Sequence, residues 1–173
     1  MKILICGRNR TGKTWVGSRL HNLTGAAYYD EDTIRQAAFD WDWSHEGRKR
    51  LADRMTMLAN YEVQKGRPVI CSFTANSDII RTQFSANYTI WMNLEPRESL
   101  RPRYEYDDPG LEMFENPTNA DQEVTTWMTD DHVKFHWGPA IRTELNLMEF
   151  HDHNHDGVND MLDPGHDMDH MNH

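Results

Sequence analysis

Apolar and polar positions along this chain switch repeatedly between a strand-like run and a helix-like spacing. Met1-Lys2-Ile3-Leu4-Ile5-Cys6 is a short apolar run that ends in Gly7, the signature of a buried strand. From Thr14 to Leu23 the apolar residues recur at helical spacing. Ala26–Asp30 predicts a second short strand and Thr33 to Phe39 a helix, followed by the polar-aromatic loop Asp40-Trp41-Asp42-Trp43. Ser44 reads as the N-cap of a long helix to about Lys65, with Leu51, Met55, Leu58, Ala59 and Val63 as its apolar face. Arg67–Phe73 predicts a third strand, Asp78–Phe84 a short helix, and Tyr88–Met92 a fourth strand.

Beyond residue 95 the pattern loosens. Residues 95 to 122 are polar and interrupted by Pro96, Pro102, Pro109 and Pro117. A connection of that length in a compact domain is commonly a lid. Glu123–Trp127 then predicts a fifth strand and Asp131 to about Leu147 a last helix, kinked or split at Gly138-Pro139. Alternation of this kind implies a mostly parallel sheet covered by helices on both faces, with ligands at the C-terminal strand ends.

Between the first strand and the first helix lies Gly7-Arg8-Asn9-Arg10-Thr11-Gly12-Lys13-Thr14, which fits G-x-x-x-x-G-K-[ST]. Such a loop wraps so that its backbone N–H groups point at phosphate oxygens, and the helix N-terminus adds its positive end. Lys13 is placed to reach the outer phosphates and Thr14 to offer a hydroxyl to Mg2+. The fold expected is therefore α/β: a three-layer sandwich of the P-loop NTPase type with a mostly parallel five-stranded sheet. ATP and Mg2+ are the expected cofactors.

Charge and cysteine content narrow the partners. At 173 residues the chain suits one domain plus an appendage, and its net charge of −10 makes a nucleic-acid partner unlikely. Cys6 and Cys71 both fall in expected core strands, as buried thiols suited to a reducing compartment. No run approaches a membrane span, and the first strand starts at once, with no room for a signal peptide. A soluble cytoplasmic protein is expected, with its oligomeric state open and a homodimer among the options.

A second constellation, Asp30-Glu31-Asp32-Thr33-Ile34-Arg35, follows the second strand. An acidic residue there can face the γ-phosphate and take the proton of an attacking hydroxyl, and Asp30 leads Asp32 for that role. An Asx cap opening the helix, which Asp32 could supply, is the competing structural use. Here the chain resembles the adenylylsulfate kinases, P-loop enzymes that phosphorylate the 3′-hydroxyl of adenosine 5′-phosphosulfate. The family pattern D-G-D-N-[IV]-R corresponds to Asp30–Arg35, with Glu31 for Gly and Thr33 for Asn. The pattern F-S-x-x-D-R-x-x-N corresponds to Trp43–Leu51, keeping Ser44 and Arg48 but not the Asp and Asn. From S-x-I-S-P-x-R-x-x-R only Ser72 and Arg81 remain. The resemblance implies a base at Asp30 and acceptor contacts from Arg35 and Arg48. Arg81, Trp43 and Phe73 join them as candidate contacts to a small anionic acceptor. Arg97 and Arg101, with Arg103, fall where many P-loop kinases carry lid arginines over ATP. The departures suit equally a diverged, phage-type member, a nucleotide or modified-nucleobase kinase, or a non-catalytic ATP- and cation-binding module.

After residue 149 the composition breaks, dividing a kinase-like domain (1–149) from an Asp/His-rich tail (150–173). Six of the ten histidines lie in the last 23 residues. Asp152, Asn154, Asp156, Asp160 and Asp163, with the carbonyl of Val158 and a Gly at loop position six, match a calcium loop of the dockerin or thrombospondin type 3 kind. The histidines make a transition metal the alternative occupant.

Overall fold

In a computed structural model, which describes residues 1–97, 107–109 and 113–143, the apolar runs become five parallel strands. They are β1 (Lys2–Gly7), β2 (Ala27–Asp30), β3 (Val69–Ser72), β4 (Tyr88–Met92) and β5 (Gln122–Val124), in the sheet order β2-β3-β1-β4-β5. Ile3 pairs with Ile70 on one side and Tyr88 on the other, so β1 runs through the centre of the sheet. The helices are α1 (Lys13–Thr24), α2 (Glu31–Ala38), α3 (His45–Gln64), α4 (Asp78–Phe84) and α5 (Asp130–His132).

Alternate residues of β1 feed the two cores. Leu4 and Cys6 point into the layer that holds Leu51, Met55 and Ala59 of α3 and Phe84 of α4. Ile3 and Ile5 point into the layer of Val16 and Leu20 of α1, closed by Val133 and Ile141. Because both faces are covered, the strand is apolar throughout rather than alternating. Cys6 and Cys71 are free, buried thiols. Burial pushes their pKa values up to about 11 and about 12, so neither is a nucleophile at neutral pH.

Three element readings change. The buried side of α3 runs through Leu51, Ala52, Met55, Ala59 and Glu62, leaving Val63 exposed. Glu62 is tolerated there because its carboxylate accepts the Tyr29 hydroxyl at 2.7 Å. β5 ends at Val124, so Trp127 lies beyond the strand. The last helix passes through a π-helical turn, Val133–Trp137, in which the Gly138 N–H donates to the carbonyl of Val133 five residues back. Pro139 has no N–H for residue 135, and the wider turn accommodates that loss. Among the described residues no helix is long and apolar enough to cross a membrane.

The loop before α3 is held by charge. Asp40 accepts from Arg50 at 2.9 Å and Arg54 at 2.7 Å, and these bonds hold its carboxyl well below the ordinary carboxylate range. Ser44 caps α3, accepting from the Gly47 N–H at 3.3 Å. A Cβ at Gly47 would overlap the Asp42 carbonyl oxygen and lie 2.6 Å from its carbonyl carbon. Backbone cannot yield as a flexible side chain can. Gly47→Ala should cost about 1–3 kcal/mol, the usual range for overpacking. Chemical denaturation would show this as a lowered midpoint with the slope unchanged.

Candidate active site

Gly7–Thr14 bends from the end of β1 into the start of α1. Gly12 stands at the N-cap of α1 with φ 88°, a left-handed conformation that L side chains rarely adopt. Arg10, with φ 62°, takes the same region without being glycine. Thr11 is fully buried and its hydroxyl donates to the Arg8 carbonyl at 2.8 Å, locking the loop from within. Lys13 Nζ donates to the same carbonyl at 2.6 Å. Loss of solvent lowers the Lys13 pKa from its ordinary value, against the upward pull of Glu31, Cys6, Asp108 and Asp32. The ammonium is thus held at the loop beside the carboxylates of the cleft, a setting in which phosphate is a favourable partner.

The loop forms one wall of a cleft of about 670 Å3. Asn9, Arg10, Lys13 and Thr14 line that wall. The lining also includes Glu31 and Asp32 from the start of α2, Ser72 and Thr74 from the end of β3, and Asp107 and Asp108. This is the C-terminal edge of the parallel sheet, where the expected topology puts ligands.

The two candidate bases differ in placement. Asp30 caps α2: its carboxylate accepts from the Thr33 N–H at 3.4 Å and the Thr33 hydroxyl at 2.6 Å. It does not line the cleft, whereas Asp32, one turn into the helix, does. Partial loss of solvent, then the neighbouring charges of Glu31 and Asp30, pushes the Asp32 pKa up, and Lys13 pulls it down. Glu31, which stands where the resembled pattern has Gly, ties the site together. Its Oε1 accepts from the Thr74 N–H at 2.9 Å and hydroxyl at 3.0 Å, while its Oε2 pairs with Arg35 at 3.1 Å.

The arginines expected to meet an acceptor are engaged internally. Arg35 is fully buried; Nη1 donates to the carbonyls of Asp40 and Asp42 at 3.1 and 2.9 Å, and its guanidinium lies 3.8 Å from the Trp43 ring centre. Arg48 pairs with Asp108 at 2.8 Å, both side chains 5% exposed. Arg81 donates to the carbonyls of Ala75 and Glu115 and to Asp78. None of the three lines the cleft. Trp43 does, while Phe73 is core, edge-on to Phe84 with centroids 5.6 Å apart.

On the other side of the loop lies a second hollow of about 370 Å3. It shares Arg10, Gly12 and Trp15 with the cleft and adds Met92, Arg97 and Trp127. The Arg97 guanidinium stacks 3.7 Å from the Trp127 ring centre, and the Arg97 backbone N–H donates to the Arg10 carbonyl at 3.0 Å. Arg97 was expected beside the nucleotide; Arg101 and Arg103 lie outside the described residues, as do all six candidate calcium ligands from Asp152 to Asp163. Among the described residues no group of three or more His, Cys, Asp or Glu converges as a metal cage. Thr14 and Asp32 line one cleft with hard oxygen donors of the kind that suit Mg2+, which takes much of its remaining coordination from phosphate and water.

Trp127, Trp15, Glu31, Thr74, Asp107 and Asp108 line the cleft or the second hollow but are not among the candidates the sequence offers. Glu31 and Thr74, each just past the end of an expected strand, carry a local cue.

No protein-family model matches the sequence, and no curated protein matches it. Solved structures do. The chain is similar to the APS kinase of Mycobacterium tuberculosis, with a TM-score of 0.66 at 14% identity over 84% of this chain and 96% of that one. It is also similar to a gluconokinase from Sinorhizobium meliloti 1021 (TM-score 0.56, 15% identity, 86% and 96% covered). A shikimate kinase from Aquifex aeolicus vf5 gives a TM-score of 0.54 at 16% identity, with 86% and 99% covered. What is shared at these identities is the fold. It is an α/β fold with a five-stranded, all-parallel sheet, as in P-loop kinases.

Proposed function

We propose that the protein is an ATP-dependent phosphotransferase acting on a hydroxyl of a small acceptor. One observation carries this reading: the phosphate loop, with Lys13 and Thr14, faces Asp32 across a cleft large enough for an acceptor. ATP lies along the loop, its base in the 370 Å3 hollow against Trp127 and Arg97 and its γ-phosphate toward the cleft. Thr14 and Asp32 would hold Mg2+, which would supply charge neutralisation when bound. Asp32 takes the acceptor's hydroxyl proton as that oxygen bonds to the γ-phosphorus, and the bond from phosphorus to the β–γ bridging oxygen breaks, releasing ADP. Lys13 leaves the Arg8 carbonyl for the phosphates, where its charge meets developing negative charge.

Adenylylsulfate is the finer expectation. The Mycobacterium tuberculosis enzyme is described in complex with AMPPNP and APS, which supports testing it here. The inward engagement of Arg35, Arg48 and Arg81 favours other acceptors. A coupled ADP-release screen over adenylylsulfate, nucleosides, nucleotides and hydroxylated metabolites tests the reading. Acceptor-dependent ADP release supports it, and ATP binding with no turnover across the screen favours a non-catalytic module.

The nucleotide half has its own test. Stacking of a base on an aromatic ring is worth about 1–3 kcal/mol. Trp127→Ala should therefore raise the Kd for ATP by about 5- to 150-fold while leaving inorganic triphosphate binding nearly unchanged, measured by calorimetry.

A further inference from the structure

We propose that Arg10 is a catalytic residue: its guanidinium, carried by the phosphate loop itself, meets the charge that develops on the β–γ bridging oxygen and the γ-phosphoryl group as ATP is split. This role rests on the phosphotransferase reading and adds to it a cation placed at the bond that breaks.

Arg10 holds a conformation that its side chain makes costly. Its φ is 62°, in the left-handed region that glycine adopts freely and a residue with a Cβ does not. Phe39 and Ser85 share that region, but they end α2 and α4, where it is ordinary. Arg10 ends no helix. Its carbonyl accepts the Arg97 backbone N–H at 3.0 Å, which fixes the loop in this shape. A large side chain kept where glycine would fold more easily points to a task for that side chain.

Its place in the site defines the task. Arg10 lines both the 670 Å3 cleft and the 370 Å3 hollow. With the base in the hollow and the γ-phosphate toward the cleft, the triphosphate crosses from one to the other over the residues that line both. Those are Arg10, Gly12 and Trp15, and Arg10 brings the charge. Lys13 and Thr14 line the cleft only, so they meet the outer end of the chain of phosphates. Arg10 is exposed, and among the described residues its guanidinium takes part in no ion pair or hydrogen bond. Arg35, Arg48 and Arg81 are each paired with a carboxylate, and Arg97 lies on the Trp127 ring. Arg10 therefore turns to a phosphate without giving up a partner.

The chemistry suits a guanidinium. As the acceptor oxygen bonds to the γ-phosphorus, its proton passes to Asp32. The electron pair of the breaking P–O bond stays on the bridging oxygen, which leaves as part of ADP. Arginine stays protonated throughout and presents parallel N–H donors, so it bonds to the bridging oxygen and a γ-oxygen together. Such a contact strengthens as charge moves onto those oxygens, and that difference lowers the barrier.

The test compares the full chain with Arg10→Gly and Arg10→Lys. Glycine suits the backbone, so nucleotide-free Arg10→Gly should melt within about 4 °C of the parent. Its kcat, with ATP, Mg2+ and any acceptor that turns over in the ADP-release screen, should fall by about 10²-fold. The Kd for Mg·ATP, by calorimetry, should change less than about fivefold. Arg10→Lys keeps the charge but not the paired donors and should recover only part of the rate. A second readout needs no acceptor: fluoroaluminate stands in for the phosphoryl group in flight. With Mg·ADP the parent should bind it at least about tenfold more tightly than Arg10→Gly does. Parent-like kcat and fluoroaluminate binding in Arg10→Gly overturn the proposal, whatever its melting temperature. So does a rate loss matched by an equal loss of Mg·ATP affinity. A parent chain that binds Mg·ATP yet neither transfers phosphate nor takes up fluoroaluminate also overturns it. Failure of the parent to bind Mg·ATP removes the phosphotransferase reading instead.

Discussion

Lys13→Ala is expected to abolish phosphoryl transfer, lowering kcat by about 10²–10³-fold or more, as loss of one positioned transition-state donor does elsewhere. Stability should respond in the opposite sense. Burial lowers the folded-state pKa of Lys13, so the protonated ammonium is disfavoured in the folded protein. That penalty is full below the folded pKa and fades as pH rises through the unfolded value, so it is present at neutral pH. Replacing Lys13 should leave the melting temperature of the nucleotide-free protein unchanged or higher, and should remove most of the stabilisation by Mg·ATP. Thermal scans with and without nucleotide measure both effects. A mutant that folds and retains full turnover would take the phosphate loop out of the mechanism.

The second large effect separates two aspartates only two positions apart. Asp32→Asn keeps shape but cannot take a proton, so kcat should fall by about 10²–10⁴-fold, with ATP affinity changing far less. Asp30→Asn should be mild, because Asn caps a helix about as well as Asp; Asp30→Ala should cost about 0.5–2 kcal/mol of stability instead. Partial loss of solvent and the neighbouring charges of Glu31 and Asp30 raise the Asp32 pKa in the nucleotide-free protein, and the acid limb of kcat/KM should vanish in Asp32→Asn. The sign for stability is fixed as well. A raised folded pKa means the carboxylate destabilises the fold above that pKa, so Asp32→Asn should melt no lower than the parent at neutral pH. If Asp30→Asn proves the more damaging to turnover, the base returns to Asp30.

The sequence is legible where the information is local. The phosphate loop is eight consecutive residues between an apolar run and a helix, and nothing distant changes their order. The sheet followed because strands buried on both faces read as uninterrupted apolar runs. Ser44 as a cap and the disturbance at Gly138-Pro139 are also short-range effects.

The acceptor half was poorly legible for a physical reason. A sequence places a guanidinium on a helix but does not show what it meets. Arg48 is bound by Asp108, 60 positions away, and Arg81 by the carbonyl of Glu115, 34 away. Asp30 caps α2 because the helix opens at Glu31, about two residues before the periodicity indicates. That shift spends Asp30 on the cap. Trp127 was read as a strand residue, yet it leaves the sheet and stands against the phosphate loop, with Cζ3 3.0 Å from where a Cβ at Gly12 would lie.

Transfer itself is the central claim, and following the phosphorus tests it most directly. A single turnover with γ-labelled ATP, Mg2+ and the best acceptor from the screen should move the label to a phosphomonoester of that acceptor, matched one to one by ADP. Asp32→Asn should bind the same nucleotide and move almost none. Label that stays on ATP, or appears only as inorganic phosphate regardless of acceptor, would contradict the account.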